Sequence, residues 1–525
     1  MRTEDGAMLD LEHLCPLTTG DALKRAVSLA PDVEAVVTPG GRVTYSDLDQ
    51  EVGAIRSAFV GLGARRGERI GLCMGNDPRW VALFVAITSL GCTAVPINTR
   101  LRTPEFHYVL GQARIQTLVS VDRLLRMDFV PTLELLLGKR GPSEEFPALR
   151  NVVVTGDDIP LGATGWDEFI ALGRRPSPAA ASPGDIALIQ YTSGTTARPK
   201  GVMLTHSSMC ANAFISGQRI GFRAGDRLHS PRPFFHVAGT TLSILSCIQH
   251  AATLVTMRRF EPGQALRQME AEACTHLSCN ETIALMLLNH PDSKVRRLSL
   301  RGGWAAAPPA VVKRLIDELG ARDCVVGYGL SEAAPNVAQS CWWEDETTRI
   351  SGRMRLQPGV QARIVEAGPD GTGQQECAPG VAGHILVRGW NVMQGYFAKP
   401  EETARAISAD GWLSTGDTGF LDEQGRLSFV ARSKDLIRVG GENVAPAEIE
   451  EVLQRHPFVR QAAVVGVPDP RLTEVPFAFV VPNEKGSVEP DVLLRWVSDQ
   501  LANFKAPRHL RIVEDFEDLG MTASA

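Results

Sequence analysis

The apolar positions of this chain fall into short continuous runs, set between stretches of helical spacing. Ile70–Met74, Thr117–Ser120 and Ala252–Thr256 are runs of this kind. Their length and lack of alternation predict strands covered on both faces. Ser46–Leu62 and Pro309–Leu319 carry their apolar residues at helical spacing and predict helices between such strands. This alternation continues to about residue 430 and predicts an α/β protein with layers built on mainly parallel sheets. From about Gly383 the runs shorten and glycine-rich turns appear, as in Gly383–Val387, so a small β-rich subdomain is expected there.

The pattern changes again beyond Arg432-Ser433-Lys434-Asp435. Pro446–His456 predicts an amphipathic helix, with Pro446 suited to its first turn and Ile449, Val452 and Leu453 on one stripe. Strands are expected at Gln461–Val467, Pro476–Val481 and His509–Val513, and a helix at Val488–Leu501. This is an α+β unit of roughly 90 residues, enough for a separate domain. The expected division is therefore 1–433 and 434–525. The segment Trp80–Asn98 carries no charge, but Thr88, Ser89, Gly91, Thr93 and Pro96 interrupt it. A buried helix followed by a buried strand is expected there, not a membrane span.

Composition narrows the function classes. A chain of 525 residues with 44% hydrophobic and 22% charged residues fits a soluble protein of two or more domains. A net charge of -6 without a basic stripe argues against nucleic acid as partner. The ten cysteines form no CxxC pair and no zinc spacing, so reduced thiols in a cytoplasmic protein are expected. Met1–Asp10 has charged residues and no apolar core, which argues against a signal peptide.

The chemistry concentrates in Tyr191-Thr192-Ser193-Gly194-Thr195-Thr196-Ala197-Arg198-Pro199-Lys200-Gly201, directly after the apolar run Ile186–Gln190. Backbone N–H groups, hydroxyls and one ammonium on such a loop can surround phosphate oxygens. It is not a Walker A loop, because Pro199 precedes Lys200 and Gly201 follows it. Ordinary surface loops share this composition, so the companions decide. Tyr328-Gly329-Leu330-Ser331-Glu332 offers a ring for a base, a hydroxyl for phosphate and a carboxylate for Mg2+. Ser414-Thr415-Gly416-Asp417 offers a carboxylate for a ribose diol, and Arg432 a fork of donors for sugar or phosphate.

In this order the segments YTSGTTARPKG (191–201), PFFHVAG (233–239), YGLSE (328–332), GYFAKPEET (395–403), GWLSTGD (411–417) and the run Arg432–Glu450 resemble the adenylate-forming superfamily, in its acyl-CoA synthetase branch. The resemblance covers about residues 20 to 524 and implies a large N-terminal domain of layered αβαβα sheets with a small β-barrel-like subdomain. It also implies a small mobile α+β C-terminal domain that swings about a hinge near Lys434. A carboxylate would attack the α-phosphate of ATP to give acyl-AMP and pyrophosphate. After domain rotation the thiol of coenzyme A would displace AMP.

By matched position, the resemblance places Thr192, Ser193, Gly194, Thr195, Thr196 and Lys200 on the phosphates. Tyr328 would flank adenine, Gly329 would also contact the nucleotide, and Ser331 would lie near the α-phosphate and the acyl carboxylate. Glu332 would hold Mg2+, while Asp417 and Arg432 would hold the ribose. His236 would gate the acyl carbonyl, and Arg438, Gly440 and Gly441 would face CoA on a turn where missing Cβ atoms let pantetheine pass. Phe235, Val237, Gly239, Gly303, Trp304, Ala305, Gly327 and Ala333 would line the acyl pocket. Apart from Glu332, the runs Phe234–Thr240 and Gly327–Asn336 hold no fixed charge, so a hydrophobic, bulky cyclic acid is expected.

The chain departs from the family at its tail, where the family has Pro-x-Thr-x-x-Gly-Lys. Here Gly520 stands for the proline, Ala525 for the glycine, and no lysine follows. Lys505 belongs to the turn Phe504–Arg508, which such families also carry, and is no displaced copy. Losing one positioned electrostatic stabiliser costs about 10^2–10^3 in rate. Two explanations stand: an enzyme restricted to making thioester from acyl-AMP supplied by a separate ligase, or a chain trimmed at its C-terminus. An enzyme loading a carrier protein, and a degenerate homologue that only binds nucleotide or acyl ligand, are the alternatives.

Overall fold

Strand-length apolar runs with helices between them can bury both faces only by stacking as parallel strands, and two such sheets form. The computed structural model describes residues 11–138, 141–142, 145–174, 176–192, 198–307, 309–366, 375–432, 437–440, 442–444, 446–482 and 489–514. One sheet has seven strands and contains Arg69–Cys73, Thr93–Pro96, Thr117–Val121, Asn151–Thr155, Ile186–Thr192 and Lys200–Thr205. The other has nine, with Arg227–His229, His276–Asn280, Gly302–Ala306 and Asp323–Gly329 parallel and side by side near its middle.

Between the sheets lies the uncharged segment, and it is a buried helix followed by a buried strand. Helix Pro78–Ser89 starts on the side chain of Asp77, which accepts from Arg79 N, with Pro78 in its first turn. From Trp80 onward every residue of it is buried. It packs on Thr93–Pro96 of one sheet and on Glu34–Thr38 and Gly41–Thr44 of the other. Helix Tyr45–Gly61 beside it begins with a capping box, in which Thr44 and Asp47 each bond the other's backbone N–H. Among the described residues no helix is long and apolar enough to cross a membrane. The cysteines are all free, and all but Cys377 are buried.

The β-rich part begins earlier than its texture suggests. It is a four-stranded antiparallel sheet of Gln361–Val365, Gly383–Arg388, Leu413–Leu421 and Leu427–Arg432.

The chain gathers into two compact units. One comprises Met1–Thr99, Ala113–Gln190 and Gly201–Ala431. The second comprises Arg100–Gln112, Tyr191–Lys200 and Arg432–Ala525. In the second, the antiparallel pair Val459–Asp469 and Thr473–Pro482 is joined in parallel by His509–Ile512. Helices Pro446–Gln454 and Pro490–Gln500 cover it, tied by Trp496 Nε1 donating to Val452 O at 2.9 Å. The same unit buries Lys505 between two carboxylates, 2.9 Å from Glu105 and 2.7 Å from Glu448. Burial alone would lower the ammonium's pKa, but the two carboxylates reverse this and raise it. Lys505 is thus committed to a structural ion cluster.

Candidate active site

In sheets of this kind ligands bind beyond the carboxyl ends of the parallel strands. The strand Arg227–His229 runs into the loop that carries Phe235, His236, Val237 and Gly239. Asn76 pins that loop by accepting from Phe234 N and donating to Arg232 O, both at 2.9 Å. Gln190 Nε2 donates to Phe235 O at 2.9 Å. The chain then turns tightly, with Gly239 N donating to His236 O at 2.8 Å. Phe235 and Val237 are buried, whereas the His236 side keeps accessible surface.

The residues expected to line the acyl pocket continue on the neighbouring strands. Gly303, Trp304 and Ala305 lie in Gly302–Ala306, with Trp304 in register with Ser278 on one side and Val325 on the other. Gly303 is crowded from behind, since a Cβ there would stand 2.2 Å from Leu277 O. The Trp304 indole spreads over Gly327, where a Cβ would stand 2.2 Å from its Nε1. That Nε1 is buried and has no hydrogen-bond partner among the described residues. On the face of the same indole, 4.2 Å from its centroid, sits the guanidinium of Arg232. Its Nε donates to Ser278 Oγ at 2.8 Å and one terminal nitrogen to Cys279 O.

Arg232 is absent from the sequence-derived site. The runs Phe234–Thr240 and Gly327–Asn336 carry no fixed charge beyond Glu332, and Arg232 stands just upstream of the first of them. The signal lay in the chain: an arginine between Pro231 and Pro233, directly upstream of Phe234. It fell one residue outside the segment that carries the resemblance.

The third group follows on Asp323–Gly329. Tyr328 and Gly329 belong to this strand itself. The Tyr328 ring stacks on Phe429 at 5.5 Å and its hydroxyl donates to Asp417 Oδ2 at 2.7 Å. Asp417 sits inside the strand Leu413–Leu421 and not on a turn. Its carboxylate is only 4% exposed, so the Tyr328 donor matters to it. Ser331 and Glu332 form a short turn with buried Ala333. Both keep accessible surface, and Glu332 Oε1 accepts from the Tyr396 hydroxyl at 3.0 Å. Burial, and then the Glu332 charge, pushes the Tyr396 phenol far above its ordinary value, so it stays a donor. Tyr396 is a second residue that the sequence reading did not single out, although it lies within GYFAKPEET.

The remaining described site residues lie in the second compact unit. Thr192 ends the strand Ile186–Thr192 and Lys200 opens Lys200–Thr205. Between them, Arg198 lies over the Tyr108 ring at 5.4 Å, and Tyr108 donates to Pro199 O at 3.1 Å. Arg432 is the last residue of Leu427–Arg432. Arg438 pairs with Asn443 in a hairpin, its N–H donating to Glu474 at 2.8 Å, and its side is exposed. Gly440 N donates to Leu472 O at 2.9 Å. Ser193, Gly194, Thr195, Thr196, Lys434, Gly441 and the tail Asp518–Ala525 lie outside the described residues.

Two family models match this chain: AMP-binding enzyme over residues 23–397, and AMP-binding enzyme C-terminal domain over 448–525. The chain belongs to the AMP-binding enzyme family. Among curated relatives of this AMP-binding enzyme is the 3-[(3aS,4S,7aS)-7a-methyl-1,5-dioxo-octahydro-1H-inden-4-yl]propanoyl:CoA ligase of Rhodococcus jostii. It is 35% identical over 95% of both chains. The mouse mitochondrial medium-chain acyl-CoA ligase ACSF2 is 31% identical over 96% of this chain and 85% of its own. Among solved structures, the amide bond synthetase McbA from Marinactinospora thermotolerans superposes with a TM-score of 0.81 at 27% identity, over 95% of this chain and 96% of that one. This AMP-binding enzyme is thus an AMP-forming acyl-CoA ligase, a family that uses ATP and CoA.

The described residues offer Mg2+ an oxygen donor of the kind it takes, the Glu332 carboxylate. They contain no group of three potential metal ligands, and Glu332 is a single accessible carboxylate. Mg2+ commonly takes one protein carboxylate and completes its shell with phosphate oxygens and water.

Proposed function

We propose that this acyl-CoA ligase activates a hydrophobic, bulky cyclic carboxylic acid. The observation that carries the reading is Trp304 spread over Gly327 on adjacent strands inside the nine-stranded sheet, which favours a flat, broad acyl group over a thin chain. The ligation of a bicyclic propanoate by the Rhodococcus relative supports the same class. In the first step a carboxylate oxygen attacks the α-phosphorus and pyrophosphate leaves. In the second, the CoA sulfur attacks the acyl carbonyl carbon and AMP leaves.

In this reading Tyr328 flanks adenine, Gly329 also contacts the nucleotide, Asp417 and Arg432 hold the ribose, and Ser331 lies near the α-phosphate and the acyl carboxylate. Glu332 holds Mg2+, which when bound offsets phosphate charge. Thr192, Ser193, Gly194, Thr195, Thr196 and Lys200 cradle the phosphates, and His236 stands beside the acyl carbonyl. Arg438, Gly440 and Gly441 receive CoA after the 434–525 body swings about Lys434. Gly520 and Ala525, which replace motif residues in the tail, favour thioester formation as the stronger half-reaction.

A split assay tests both parts. ATP–pyrophosphate exchange reports adenylation, and CoA thioester formed from synthetic acyl-AMP reports the second step. The expected result is thioester from polycyclic or aryl acyl-AMP, with weak exchange. Reaction with amino acids alone would overturn the substrate class. Preference for a pantetheinylated carrier protein over free CoA would move the enzyme to the carrier-loading class. Absence of product from every acyl-AMP would leave a binding protein, and vigorous exchange would remove the half-reaction restriction.

A further inference from the structure

Among the described residues Arg232 is a guanidinium without a carboxylate counter-ion, none lying within ion-pair distance of it. Of its five N–H groups, protein acceptors engage two, at Ser278 Oγ and Cys279 O. It is held firmly all the same. Trp304 covers one face, and Asn76 fixes its backbone through its carbonyl. Burial lowers its pKa only to about 10, so it is charged at neutral pH. The residue nevertheless keeps accessible surface, which allows water to solvate its remaining N–H groups.

Its surroundings place that surface at the acyl wall. Trp304 and Gly327 form this wall, and the loop from Arg232 runs directly into Phe235 and His236. A bulky acyl group settling against Trp304 strips water from the guanidinium. If that group is pure hydrocarbon, the uncovered N–H groups lose their partners and binding is penalised. If its far end carries an oxygen acceptor, the same burial strengthens a charge-assisted hydrogen bond.

We propose that Arg232 is a specificity-determining residue that selects acids bearing a carbonyl or carboxylate oxygen at the end remote from the reacting carboxylate. This rests on the acyl-CoA ligase reading and refines its substrate class to a largely apolar ring system with one distal oxygen.

The test compares three acyl-AMP substrates of equal ring size, with a distal ketone, a distal carboxylate or plain hydrocarbon there, in the thioester half-reaction. Wild-type enzyme is expected to favour the ketone, the carboxylate or both over hydrocarbon by about 10- to 100-fold in kcat/KM, expressed mainly in KM. Arg232→Met, which keeps the apolar stem over Trp304, is expected to abolish that preference and leave the hydrocarbon substrate within about three-fold. Arg232→Lys is expected to restore part of it, and more for the carboxylate than for the ketone. Equal loss on all three substrates in Arg232→Met, with an unchanged melting temperature, would make Arg232 a structural residue and overturn the proposal. So would a wild-type enzyme indifferent to the distal group. A wild-type enzyme that forms no thioester at all refutes the ligase reading instead. If Arg232→Met does not fold, Ser278→Ala, which frees Nε and loosens the guanidinium, gives the same comparison with a smaller loss of preference expected.

Discussion

Side chains of the candidate site work in pairs, and each pair joins residues far apart in the chain. Tyr328 and Asp417 are 89 positions apart and share a 2.7 Å bond. Glu332 and Tyr396 are 64 apart. Removing one partner should therefore be felt at the other. Tyr328→Phe leaves the buried Asp417 carboxylate without its phenol donor, and a loss of about 1–3 kcal/mol in stability is expected. Urea unfolding checks this, and AMP titration should show weaker binding. A wild-type midpoint in Tyr328→Phe would show that Asp417 is adequately held by its other contacts.

The parallel strands His276–Asn280, Gly302–Ala306 and Asp323–Gly329 lie side by side, and their close spacing relies on glycines. Gly303→Ala would set a methyl 2.2 Å from Leu277 O, a backbone atom of the paired strand that cannot swing aside. The register of Gly302–Ala306 with His276–Asn280 would have to open, at a cost of about 1–3 kcal/mol or more. Circular dichroism melting should show the loss. Since Trp304 is the next residue, acyl-AMP turnover should fall as well. Gly327→Ala meets a movable indole instead, so its penalty should be smaller and its effect on substrate choice larger. A Gly303→Ala protein as stable as wild type would show that the paired strand yields to the added methyl.

Across the molecule, two sets of buried ionisable groups govern stability. His206, His229, His250 and His276 are each lowered to about 4 by burial. They are neutral in the native protein, while in the unfolded chain they titrate near 6.5. Between those values the unfolded state binds more protons, so stability is complete above about pH 6.5 and falls as pH drops towards 4. Urea midpoints at pH 7.5, 6 and 5 should decline progressively, and a flat series would contradict the burial of these rings.

In the second compact unit, Lys505→Met would leave Glu105 and Glu448 facing each other in the interior. Breaking a buried ion cluster in this way costs about 3–5 kcal/mol. Limited proteolysis should show earlier cleavage of the C-terminal region, and calorimetry a lower transition. Lys505→Met with Glu105→Gln should recover part of the loss, because one of the two unpaired charges is gone.

The sequence by itself determined the α/β class, the buried nature of Trp80–Asn98, the C-terminal α+β elements and the family. All of these rest on local periodicity or on residues adjacent in the chain, such as the apolar run before the phosphate loop. Element boundaries were read to within a few residues for the same reason. Only the tertiary structure decided that Arg232 stacks on Trp304, that Asp417 receives the Tyr328 hydroxyl, and that Lys505 is enclosed by Glu105 and Glu448. These contacts span 72, 89, 400 and 57 positions respectively. Their partners come together through parallel strand order and helix packing, which local pattern does not encode. A charge can be assigned to a pocket only when the neighbours that desolvate and orient it are known, and for Arg232 those neighbours come from other strands.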